Sequence, residues 1–144
     1  MTGRALALCL ALTATTAQAW EFTPGLPCVL EARTEAAEMT LTYDPTQPLY
    51  TLTIRQAEPF TWAEVFSMRF DGMAGLEIST NRHTLSRDGR ALTVTDRGFG
   101  NVLNGLQFND TATALLGDQS LSFPLDGATD PVAAFRLCKG TPSV

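Results

Sequence analysis

EMTLTYDPTQPLYTLTI, residues 38–54, reads as two strands joined by a turn. Met39, Leu41 and Tyr43 alternate with Thr40 and Thr42. After the Asp44-Pro45 and Gln47-Pro48 breaks, Tyr50, Leu52 and Ile54 alternate with Thr51 and Thr53. Apolar residues at period two, with β-branched residues between them, mark strands buried on one face only. The same pattern recurs outward from this stretch. Cys28–Arg33 reads as the first strand, and Phe66, Met68 and Phe70 carry another against Ser67 and Arg69. Leu76–Thr80, Arg82–Arg87, Ala91–Thr95 and Ser120–Leu125 continue it.

Short strands separated by Gly, Pro, Asp and Asn predict a mainly β chain, an antiparallel β-sandwich or partly open barrel of about seven or eight strands. Two short helices are expected within it. Asp110 is placed to N-cap Thr111–Leu116, with Gly117 as its stop. Asp130 and Pro131 make an N-cap and first-turn pair for a helix running to Cys138. Val132, Phe135 and Cys138 then share its buried face. The glycines of Gly98-Phe99-Gly100-Asn101-Val102-Leu103-Asn104-Gly105 suggest a tight, positive-φ loop around a buried Phe99.

Residues 1–19, MTGRALALCLALTATTAQA, have the layout of a secretory signal. Arg4 supplies the positive start, Ala5–Leu12 the apolar run, and Ala17-Gln18-Ala19 the small-residue cleavage site. The apolar run falls far short of the roughly 20 residues that span a bilayer, so no transmembrane anchor is expected. Cys9 follows Leu8 and lies inside the apolar run, which argues against lipidation. Cleavage after Ala19 leaves residues 20–144 as a single β-rich domain in the periplasm or outside the cell. It also removes Cys9, so Cys28 and Cys138 remain and are expected to form a disulfide.

The chain is acidic, with 15 carboxylate and 10 basic side chains and a formal net charge of −5. That balance argues against nucleic acid as a partner. No phosphate-binding loop or dinucleotide fingerprint is present, and no cofactor is expected.

His83 is the single histidine. Reading Asp88-Gly89 as a two-residue primed turn sets Leu85 opposite Leu92 and His83 opposite Val94. One face then carries His83, Leu85, Leu92, Val94 and Asp96, so the histidine points inward with Asp96 as its diagonal neighbour. Asp96 or a backbone carbonyl would satisfy it there. The chemical alternative is a hydrolase built on a His83–Asp96 pair and one of Ser67, Ser79 or Ser86. A single histidine with two paired cysteines leaves only carboxylates beside it, so no metal is expected. A further possibility is an anion or glycan site formed by Arg82, Arg87, Arg90 and Arg97 on the hairpin. Those arginines serve equally as solvated edge charges that discourage aggregation.

From Trp20 onward the chain resembles a family of small exported proteobacterial proteins. The resemblance rests on WEFTPGLPC, YDPTQPLYTLTI, TNRHTLSRDGRALTVTDRGFGNVLNGLQFN and PLDGATDPVAAFRLC, nearly all of residues 20–144. Some members carry the name of a DNA-repair excinuclease component. A DNA-repair helicase needs a phosphate-binding loop and a far longer chain, so that chemistry is not expected here. The resemblance supplies no established catalytic residues, and the first reading is an envelope-accessory or binding module. Its partner would be an envelope protein or a glycan.

Overall fold

The computed structural model describes residues 2–3, 10–11 and 20–139. Most of the expected signal sequence, its cleavage site and Cys9 lie outside the described residues. Ten strands and two helices follow in chain order. They are β1 (Trp20–Thr23), β2 (Cys28–Arg33), β3 (Ala37–Asp44), β4 (Leu49–Gln56), β5 (Phe66–Asp71) and β6 (Leu76–Thr80). Then come β7 (Thr84–Leu85), β8 (Ala91–Asp96), α1 (Gly100–Phe108), β9 (Thr111–Leu116), β10 (Gln119–Pro124) and α2 (Thr129–Arg136). One sheet has the order β1-β2-β3-β4-β8-β7, and the other β10-β9-β5-β6. Every pairing is antiparallel. The expected antiparallel sandwich is the observed architecture, with a larger number of strands.

The opening stretch forms β3 and β4 in the register its alternation implies, Leu41 facing Leu52 and Tyr43 facing Tyr50. Leu30, Met39, Leu41, Leu52, Ile54 and Leu92 line the inner face of the first sheet, and Phe66, Met68, Phe70, Ala112 and Ala114 that of the second. At one side Trp20 is wholly buried, and its Nε1–H donates to the Pro124 carbonyl at 2.8 Å, joining β1 to β10. Cys28 and Cys138 form the expected disulfide, their Cα atoms 6.4 Å apart, and it ties the chain after α2 to the start of β2.

Five local expectations give way to the structure. Cys28–Arg33 is the second strand, because Trp20–Thr23 pairs outside it. Thr111–Leu116 is a strand, β9, paired on both sides by β5 and β10. Its Gly117, at φ +57°, is the first central residue of a two-residue hairpin turn rather than a helix stop. The glycine-rich stretch after Gly98 is a helix, with Leu103 and Leu106 buried. Phe99 is buried as expected, but neither Gly98 nor Gly100 needs positive φ. The last helix begins at Thr129 with Asp130 in its first turn and ends at Arg136, leaving Cys138 beyond it.

The Asp88-Gly89 hairpin keeps its expected register, with Leu85 facing Leu92, but its turn is of another kind. Asp88 has negative φ and Gly89 alone is left-handed, at +75°, so the turn is not of the doubly positive primed type. The Gly89 N–H donates to the Ser86 carbonyl at 2.9 Å, and Asp88 Oδ1 accepts from Ser86 Oγ and the Arg90 N–H. The strand expected over Arg82–Arg87 shrinks to Thr84–Leu85, because residues 81–83 cross between the sheets instead of pairing.

Candidate functional site

The sheets part along one side. β6 is the outer strand of its sheet, and two-residue β7 leaves Val94–Asp96 of β8 without a neighbour beyond β4. A cleft of about 410 Å³ opens there, within the roughly 300–1,000 Å³ of small-molecule sites. Its floor is Leu52, Phe66, Met68 and Phe99, all buried, while Ile78, Val94 and Val102 are half-buried on its walls. These positions follow from strand alternation. Phe66 and Met68 are inward residues of β5, Ile78 of β6, and Leu52 faces Val94 across β4 and β8.

Polar groups occupy the rim. The chain leaves β6 at Thr80, whose Oγ1 accepts the Arg82 N–H at 3.1 Å and starts the crossing to β7. Arg82 Nη2 then meets Asp96 Oδ2 at 3.3 Å. Because Arg82 belongs to that crossing and Asp96 ends β8, the ion pair bridges the cleft mouth. Both side chains are solvated, 71% and 41% exposed, so the pair adds at most about 1 kcal/mol to stability. Asp96 Oδ1 accepts the Arg97 N–H at 2.7 Å, turning the chain towards Gly98 and α1. Gly98 to Val102 complete the lining.

His83 does not line the cleft. It is 3% exposed, as its inward register implied, and its Nε2 lies 2.8 Å from the Ala63 carbonyl oxygen. Of its two expected satisfiers, the carbonyl is the one it meets, while Asp96 is engaged by Arg82 and the Arg97 amide. The ring stacks on Trp62, centroids 4.6 Å apart, and tilts against Phe66. Its Nδ1 has no hydrogen-bond partner among the described residues. Ala63 and Trp62 belong to the connection from β4 to β5, so His83 fastens that crossing to the hairpin. Gln119 holds the same connection from the other sheet, through the Thr61 N–H and carbonyl.

The three serines considered with His83 are elsewhere engaged or turned away. The Ser67 and Ser79 hydroxyls lie 2.7 Å apart across β5 and β6, and Ser86 Oγ donates to Asp88. The structure therefore brings neither Asp96 nor a serine hydroxyl into hydrogen-bond contact with His83.

No family model, curated protein or solved structure matches this chain.

The four hairpin arginines are all exposed and do not line one site. Arg82 lines the cleft. Arg90 lines a shallow depression of about 430 Å³ with Arg33, Arg55, Glu35, Glu38 and Asp88. Its three arginines and three carboxylates offset one another. Arg87 and Arg97 line neither. No cluster of three metal-ligating side chains occurs among the described residues. No described helix is long and apolar enough to cross a membrane.

Sequence reasoning passed over Ile78, Val94, Val102 and Thr80 as site residues. Their signal was ordinary strand alternation, which says that a side chain faces inward but not that a wall is missing opposite it.

Proposed function

We propose that this chain is an exported, disulfide-closed β-domain acting as a binding or envelope-accessory module, with the intersheet cleft as its binding face. One observation carries the reading: in the cleft, half-exposed Ile78, Val94 and Val102 stand around a floor of buried Leu52, Phe66, Met68 and Phe99. Inward-facing aliphatic side chains left open to water have a standing hydrophobic incentive to be covered. The signal-like start, the Cys28–Cys138 pairing and the resemblance to small exported proteins support placement in the periplasm or beyond.

A photoreactive residue at Ile78, with a control at Gln47 in the exposed β3–β4 turn, tests this in cells exporting the protein. The expected result is a discrete adduct at Ile78 that the control does not form. Adducts of protein, glycan and lipid differ in mass and composition, so the partner class is read directly. Equal labelling at both positions, or none, would overturn the cleft as the binding face.

A further inference from the structure

We infer that the cleft seats the hydrocarbon chain of a single-chain amphiphile with an anionic head. The chain lies against Leu52, Phe66, Met68, Ile78 and Val94, and the head meets Arg82. The inference rests on the reading of the cleft as the binding face and specifies the chemistry of its ligand.

The walls supply the first reason. Apart from the rim, they are aliphatic, aromatic and thioether groups. The nearby hydroxyls are already engaged, Ser79 with Ser67 and Thr80 with the Arg82 amide. The remaining donors of the lining, the Thr80 O–H and the exposed Asn101 amide, sit at the rim within reach of water. A hydrocarbon against the floor therefore strands no deeply buried polar group, whereas a polyhydroxylated ligand would lose its own hydrogen bonds there.

The shape of the mouth supplies the second. The free edge of β6 invites an added peptide strand. However, the crossing through Arg82 and its pair with Asp96 bridge the mouth, while Gly98–Val102 hem in the cleft from another segment of chain. A strand running along β6 would have to break that bridge. A thin, flexible hydrocarbon passes beside it.

Charge supplies the third. Arg82 has one side-chain hydrogen bond among the described residues, from Nη2 to Asp96. A guanidinium carries five N–H donors in a planar fork that matches carboxylate and phosphate oxygens. Arg82 can therefore hold Asp96 and a ligand head together, at the point where a chain filling the cleft reaches water.

Calorimetry on the signal-processed, oxidised domain tests the inference with laurate, dodecyl phosphate and the non-ionic dodecyl maltoside, each below its micellar concentration. Saturable binding is expected for both anions, and weaker binding for the maltoside. Ile78→Trp fills the cleft and should abolish binding with the native far-ultraviolet dichroism retained. Val94→Trp, on the facing sheet, serves the same purpose if the first variant fails to fold. Arg82→Ala should weaken laurate about two- to fivefold, the loss of one solvated ion contact. Absence of saturable binding by both anions, or unchanged binding in a folded cleft-filled variant, overturns the inference. Equal affinity for dodecyl maltoside overturns the assignment of the head. A protein adduct at Ile78 in cells, with no amphiphile bound by the purified domain, sinks this inference but leaves the cleft as the binding face.

Discussion

A carbonyl oxygen only accepts, so the 2.8 Å contact between His83 Nε2 and Ala63 places the imidazole proton on Nε2. Long-range proton–nitrogen correlation spectra are expected to show a proton on Nε2. His83→Phe keeps a ring beneath Trp62 but strips the Ala63 carbonyl of its donor. A loss of about 1–2 kcal/mol in urea unfolding is expected; a change within error would mean the contact fastens nothing. The register around Leu85 and Leu92 made the inward direction of His83 legible. Its partner was not legible, because Ala63 sits 20 residues away in a connection without periodic pattern. Solitude in the sequence made this histidine look chemical, while its surroundings make it structural.

The elements misread are those where local signals and tertiary pairing disagree. Asp110 before Thr111–Leu116 and Gly117 after it imitate a cap and a stop, yet the segment is sandwiched between β5 and β10 and buries Ala112, Thr113, Ala114 and Leu116. Residues 111–114 do alternate, but the inward ones are small alanines, and Ala and Leu favour helix, so the strand signal is weaker than that of the large apolar residues of β3 and β4. Conversely, α1 was obscured by glycines that the packing uses. A Cβ on Gly105 would intrude on the Phe70 ring, which is buried in the core. Gly105→Ala should therefore destabilise by roughly 1–3 kcal/mol through overpacking, despite the better helix propensity of alanine. Equal or greater stability in chemical denaturation would show that the helix shifts freely off β5. In the β7–β8 turn, donation from Ser86 Oγ and then the Arg90 N–H holds the Asp88 carboxyl below its ordinary value of 3.8. A depressed folded pKa contributes stability above the unfolded value, and the contribution is lost as pH falls through the lower folded value. The advantage of wild type over Asp88→Asn in thermal melts should accordingly be full near neutrality and shrink in acid below that ordinary value. A constant difference across that range would exclude the linkage.

Across the whole molecule, the antiparallel sandwich and the disulfide were legible because each depends on pattern or pairing alone. The cleft was not, since it arises from which strands end up facing each other and from the brevity of β7. The disulfide joins residues 110 apart in sequence, and on the chain-entropy model closing such a loop contributes about 4–5 kcal/mol. Cys28→Ser with Cys138→Ser, or reduction of the native protein, should lower the unfolding free energy by an amount of that order. Loss of less than about 1 kcal/mol would mean the reduced unfolded chain stays compact. The same bond also sets how the domain carries load. β2 to β10 and both helices lie inside the covalent ring, and β1 lies outside it. Tension applied to the two chain ends runs through sulfur and bypasses nine of the ten strands. In single-molecule pulling, the oxidised protein should peel β1 and then resist as an inextensible link, whereas the reduced protein should release the contour length of the whole sandwich.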